Sequence, residues 1–142
     1  MASDNTDGIK HRVINMPPLP ESQIYDCIGE DGFRRLVAAF YRQVPDDSIL
    51  GPMYPADDLA GAEARLRGFL IFRFGGPQDY ITERGHPRLR MRHAPFVVNQ
   101  DARDRWIQLM RTALDETALP YEADTTLRMF FDSVATFLIN QR

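Results

Sequence analysis

Arg84-Gly85-His86-Pro87-Arg88-Leu89-Arg90-Met91-Arg92-His93-Ala94-Pro95-Phe96 gathers two of the chain's three histidines and four arginines into thirteen residues. Its prolines limit any helix within it. Pro87 suits the first position of a helix, whereas Pro95 disfavours helical geometry at Ala94 and has no N–H to continue one. The spacing therefore predicts a helix of about two turns, too short to persist in water unless other elements hold it. Leu89 and His93, four apart, share one face, and Arg88 and Arg92 share another.

An imidazole above an apolar platform with guanidinium groups at its margin suits a flat, apolar, metal-centred ligand with acidic edges. Haem is the candidate: a neutral imidazole nitrogen ligates iron, and arginines pair with propionate carboxylates. The competing reading is a partly exposed histidine in an arginine-rich loop. The segment alone favours that reading, because lone histidines are common.

Outward from this stretch, the chain of 142 residues is long enough for one domain with a substantial core. A hydrophobic share of 44% and a charged share of 26% are those of a soluble globular protein. The formal net charge of −3 supplies no whole-molecule attraction to nucleic acid or to an anionic membrane. One cysteine, Cys27, excludes an intrachain disulfide and a thiolate cluster, and a buried structural thiol is the better reading of it. Residues 1–20 lack a signal-peptide core and no apolar run is long enough to span a bilayer, so a cytoplasmic protein is expected.

Residues 1–21 read as a flexible or polyproline-like arm, with a single domain over 22–142. Ser22 to Ile28 predicts a short helix ended by Gly29. Phe33, Leu36, Val37, Phe40, Tyr41 and Val44 recur at helical spacing up to Pro45. After a proline- and aspartate-rich connection, Asp57 or Asp58 caps a helix to about Phe74. Leu59, Ala62, Leu66, Phe69 and Leu70 face inward there, and Gly75-Gly76-Pro77 stops it. Tyr80 to Gly85 reads as a connection. Asn99 or Asp101 caps a helix to about Ala118 with Trp106, Leu109, Met110 and Ala113 on one stripe. A last helix covers about Ala123 to Asn140. No period-2 alternation of β-branched residues is present, so the fold class is all-α.

The motifs of zinc hydrolases and phosphate-binding loops are absent. What stands out is a set of polar aromatics, Tyr41, Tyr54 and Trp106, in or beside core-facing positions. Each alone reads as core packing. Together with His93 they read as O–H and N–H donors in a cavity facing a metal, which suits a bound diatomic that has taken on negative charge.

Several segments resemble the group II truncated haemoglobins, most closely their actinobacterial branch. They are Phe40-Tyr41, Tyr54-Pro55, Asp57 to Glu63, Gly75-Gly76-Pro77, the Arg84–Phe96 block and Arg103 to Trp106. The likeness spans about Ile24 to Asn140. It implies a two-over-two helical sandwich around haem b, with His93 as the proximal iron ligand and Tyr41, Tyr54 and Trp106 as distal donors. It also implies Leu66 and Phe69 as pocket walls, and Arg65, Tyr80 and Arg92 as propionate partners; Leu89, on the His93 face, is expected to bind the cofactor as well. Ala62 stands where many globins place a distal histidine. His86 is a turn residue in this reading, with bis-histidine coordination left open.

The expected function is tight binding of dioxygen and other diatomics, carbon monoxide and nitric oxide among them, with redox detoxification by nitric oxide dioxygenation or peroxidase-type turnover. The latter consumes peroxide, with Tyr41, Tyr54 or Trp106 available as oxidisable residues, and dioxygenation needs an external reductase. A monomer or homodimer is expected. A non-catalytic ligand-binding or sensing globin is the alternative, and a cofactor-free helical domain is the third reading.

Overall fold

The computed structural model describes residues 17–85, 87–94 and 96–141; His86 and Pro95 lie outside them, as does most of the expected arm. The described residues form six α-helices: α1 (Ile24–Tyr41), α2 (Leu59–Arg73), α3 (Asp79–Arg84), α4 (Leu89–His93), α5 (Gln100–Thr117) and α6 (Tyr121–Phe137). Short 3₁₀ turns precede α1 at Glu21–Gln23 and follow it at Gly51–Met53. No strand occurs among the described residues. No described helix is long and apolar enough to cross a membrane.

The apolar periodicity of α1 decides the packing. Phe33, Leu36, Val37 and Phe40 are fully buried against α5 and α2, and α5 packs in turn on α6. Leu70 and Phe74 from α2 and its cap, Met110 and Leu114 from α5, and Leu127 and Phe131 from α6 complete one continuous core. Truncating a buried aromatic such as Phe40 to alanine would cost about 3–5 kcal/mol.

Helix ends follow the chemistry expected of them. Asp58 accepts from Gly61 N–H at 3.2 Å, and Asn99 accepts from Ala102 N–H at 2.9 Å, so α2 and α5 both start on side-chain caps. Gly29 has φ +68° and breaks α1 into two segments, a first piece that starts at Ile24 rather than at the expected Ser22 and the long helix beyond it. Gly75 has φ +96°, and a Cβ there would lie 2.2 Å from the Ser22 carbonyl oxygen. No other residue meets both demands at the end of α2.

The structure corrects four local expectations. Asp79 to Arg84 is helical rather than a connection. Pro87 does not open the histidine helix: Arg88 takes left-handed φ +45° and α4 starts only at Leu89, leaving five helical residues. The last helix stops at Phe137, short of Asn140. Cys27 is exposed, not buried, because it lies on the outer side of the segment before the Gly29 break.

The end of the expected arm is tied down: Leu19 N–H donates to Glu122 O at 3.3 Å and Thr126 Oγ1 donates to Leu19 O at 2.6 Å. Pro20, at φ −57° and ψ 143°, has the polyproline geometry its composition suggests.

Candidate functional site

The connection between α1 and α2 carries Tyr54 and is clamped by one buried carboxylate. Asp47 accepts from Ile49 N–H at 3.1 Å and Leu50 N–H at 2.8 Å, and it pairs with the Arg105 guanidinium of α5. Burial works against the Asp47 charge, but those donors outweigh it and hold its pKa below the usual carboxylate range. The loop is thereby fixed to α5, and Tyr54 meets Trp106 across 52 residues of sequence. The indole Nε1–H donates to the Tyr54 hydroxyl oxygen at 3.2 Å.

Behind this pair stands Phe40, with ring centroids 5.3 Å from Tyr41, 6.5 Å from Tyr54 and 5.2 Å from Trp106. Tyr41 and Tyr54 meet edge to face at 5.6 Å. The Tyr41 hydroxyl donates to the Ala62 carbonyl oxygen at 3.2 Å, so its proton is committed to the α2 backbone. Trp106 has likewise committed its N–H to Tyr54, and the Tyr54 oxygen, once it has accepted, leaves its own proton to be aimed elsewhere. Burial pushes the Tyr54 pKa up to about 12, with the Trp106 hydrogen bond working the other way. Burial, then the neighbouring Tyr54, raises that of Tyr41. Both phenols stay protonated at neutral pH.

Opposite them, His93 closes α4. Its Nδ1 lies 2.8 Å from the Leu89 carbonyl oxygen, which selects the tautomer with the proton on Nδ1 and leaves the Nε2 lone pair for a metal. The five-residue helix buries none of its residues fully, so its position depends on hydrogen bonds. Asn140, released by the early end of α6, supplies them. Its Nδ2 donates to Phe96 O at 2.9 Å and His93 O at 3.3 Å, and its Oδ1 accepts from Val98 N–H at 2.9 Å. On the other side Arg92 Nη2 donates to the Arg84 carbonyl at 2.8 Å.

Between these walls lies a cavity of about 330 Å³ lined by Tyr41, Tyr54, Ala62, Leu66, Phe69, Leu89, His93 and Trp106. Arg65, Arg84, Arg92 and Arg103 also border it. Arg65 carries an ion pair to Asp58 at 3.2 Å. Of the residues expected at the site, only Tyr80 has no described side chain; its backbone lies in α3.

These residues fit haem. Among the described residues no three His, Cys, Asp or Glu side chains converge to hold a bare ion, so a metal at His93 must bring most of its own ligands. An apolar cavity with guanidinium groups at its border matches a tetrapyrrole with two acidic edges.

The family model described as bacterial-like globin matches residues 23–140. The chain belongs to this globin family. Haem and haem-based binding of diatomic ligands come with it. Group 2 truncated hemoglobin YjbI of Bacillus subtilis is 35% identical to the globin over 117 residues, covering 82% of this chain and 88% of that one. Among solved structures, the thermostable hemoglobin from the actinobacterium Thermobifida fusca superposes with a TM-score of 0.80 at 45% identity, covering 82% of this chain and 96% of that one. The truncated oxygen-avid haemoglobin from Bacillus subtilis gives a TM-score of 0.78 at 34% identity, covering 82% and 98%. The group II resemblance read from the sequence is thus the correct one, and the helical sandwich is that of a truncated globin.

Sequence reasoning missed Asp47, Arg105 and Asn140 in this globin, and treated Phe40 only as core. The Asp-rich composition of 46–58 signalled a loop, and nothing in it singled out Asp47.

Proposed function

We propose that this globin holds haem b on His93 Nε2, retains dioxygen tightly, and turns it over with small oxidants, nitric oxide before peroxide. Haem held there supplies an iron that takes diatomic ligands and changes oxidation state. The protein's own residues do the rest. Leu89 fixes the His93 tautomer, and Arg65, Arg92 and Tyr80 answer the acidic edges of the group. Leu66 and Phe69 keep water from the ligand side. Tyr54 donates its hydroxyl proton into the cavity, held in aim by Trp106, while Tyr41 braces the cavity through the Ala62 carbonyl.

The observation that carries this reading is the indole-to-phenol hydrogen bond at 3.2 Å in the cavity that His93 also lines. A donor already oriented by a second donor loses little freedom when it engages a ligand, and a hydrogen bond to a charged acceptor is worth about 1.5–3 kcal/mol. That slows ligand escape and favours reaction over delivery, in keeping with the oxygen avidity stated of the Bacillus subtilis protein. Dioxygenation combines nitric oxide, dioxygen and one electron to give nitrate, so an external reductase must supply the electron. The reading takes the globin to be cytoplasmic, a monomer or homodimer.

Mixing the oxygenated ferrous globin with nitric oxide in a stopped-flow spectrometer tests it. Loss of the oxygenated spectrum at a rate set by nitric oxide, with nitrate formed in equal amount, is expected. Decay no faster than that of free haem refutes the turnover and leaves a non-catalytic ligand-binding globin.

A further inference from the structure

Most arginines of this chain are engaged in ion pairs. Arg34, Arg42, Arg73, Arg105 and Arg128 each reach a carboxylate, as do others away from the histidine helix. Arg88 and Arg90 reach none among the described residues and are exposed, whereas Arg84 borders the cavity described above. The sequence explains why: Arg84 to Asn99 contains four arginines and no aspartate or glutamate, in a chain whose net charge is −3. Arg84 and Arg92 serve the cavity border, which leaves Arg88 and Arg90 as the positive charge that this segment turns outward.

The same face exposes large apolar side chains. Met91 is 60% exposed, Val97 58% and Phe137 55%. They adjoin the charges: the Arg90 guanidinium sits 5.1 Å above the Phe137 ring, and Asn140 ties the end of α6 to His93 and Val98. Exposed apolar groups beside cations that reach no carboxylate mark a surface for a partner rather than for solvent. The patch joins α4, where Arg90 and Met91 lie within one helical turn of His93, to the end of α6 at Phe137.

We propose that this face docks an acidic protein electron carrier, a flavoprotein that passes single electrons to iron held by His93. It rests on the reading above that the iron cycles between oxidation states. In each event the carrier's reduced flavin loses one electron and the ferric iron gains it. Charge decides the occupant. A second copy presenting the same face would oppose like charges, since a two-fold interface pairs a patch with itself. An acidic carrier is instead drawn in over a screening length of about 8 Å at physiological salt, and small, charge-steered contacts suit encounters that must end quickly.

The test follows reduction of the ferric holoprotein by a reduced, acidic flavodoxin under anaerobic stopped flow. For the wild type the second-order rate constant falls steeply as salt is raised to about 0.15 M. In R88E/R90E it falls at least tenfold at low salt and loses its salt dependence, with R88Q/R90Q in between. Reduction by an uncharged small-molecule donor stays the same in all three, and unchanged Soret spectra and helical circular dichroism verify their haem sites and folds. Equal rates of reduction by flavodoxin in wild type and R88E/R90E overturn the proposal. So does a variant that loses affinity for duplex DNA or anionic vesicles while its reduction by flavodoxin is unaltered. If nitric oxide decay proves no faster than with free haem while the carrier rate still depends on Arg88 and Arg90, the turnover reading fails and the docking face stands.

Discussion

The indole-to-phenol link gives the sharpest test of the distal wall, a double-mutant cycle of Trp106→Phe and Tyr54→Phe read through dioxygen release. Tyr54 is placed as the direct donor, so its removal forfeits a hydrogen bond to a charged acceptor, about 1.5–3 kcal/mol, or a release rate about 10–150 times faster. Trp106 touches the phenol oxygen at 3.2 Å. Losing that neutral bond costs about 0.5–1.5 kcal/mol, or about 2–12-fold, because Tyr54 remains but is less firmly aimed. The decisive quantity is the coupling. In the Tyr54→Phe background the indole has no phenol oxygen to orient, so Trp106→Phe should change the rate by less than about twofold. The assay is displacement of dioxygen from the reconstituted ferrous protein by excess carbon monoxide, with circular dichroism to verify that each variant is folded. Equal effects of Trp106→Phe in both backgrounds would place the indole proton on the ligand itself and refute the relay.

Asn140→Ala removes the bonds that hold the chain around His93 and should cost about 1–3 kcal/mol, seen as faster haem transfer to an acceptor apoprotein with little change in the ferrous carbonyl spectrum. His93→Ala should abolish stable haem binding, and a normal Soret band after reconstitution would reassign the ligand. Asp47 has a pKa held below its ordinary value, so its stabilising effect is complete above the unfolded-state value near about 4 and is lost as pH falls through the folded-state value. The stability gap between wild type and Asp47→Asn, measured by urea unfolding, should thus close below about pH 4 and stay open at pH 6–7. Ala118 sits at φ +52° after α5, where glycine is unstrained, so Ala118→Gly should raise stability by about 0.5–1 kcal/mol and the midpoint of thermal unfolding by about 2–4 °C.

What could be read from the sequence was what repeats locally. The stripe from Phe33 to Tyr41 forms the long part of α1 because its period matches the helix, and all its members are buried, as is Val44 just beyond the helix end. Capping residues located the starts of α2 and α5. The α3 helix escaped because six residues with one apolar turn carry too little period to register. The start of α4 was misplaced because the proline rule describes what Pro87 permits, not what Arg88 does next. Tertiary hydrogen bonds left no local trace: Asp47 meets Arg105 across 58 residues, and Asn140 meets His93 across 47. The aromatic set was legible as a cavity wall. The direction of each proton was not, because it depends on Tyr54 arriving beside Trp106 and on the Ala62 carbonyl lying within reach of Tyr41.

The two walls of the cavity are built to different standards. The Tyr41 and Phe40 side belongs to α1 and the fully packed core, whereas α4 has five residues, none fully buried, and begins on a non-glycine residue with positive φ that costs about 1–2 kcal/mol. Local opening is least costly where buried apolar contacts are few, so α4 should be the first part of the apoprotein to fray while α1 and α5 remain protected. A ligand that bonds His93 binds only the ordered form of α4, and its binding free energy is therefore partly the ordering free energy of that helix. This coupling accounts for a polar clamp such as Asn140 where a packed core would have served stability better. The hydrogen bonds fix the direction of the imidazole without filling the space beneath it, and that space is what a flat cofactor needs.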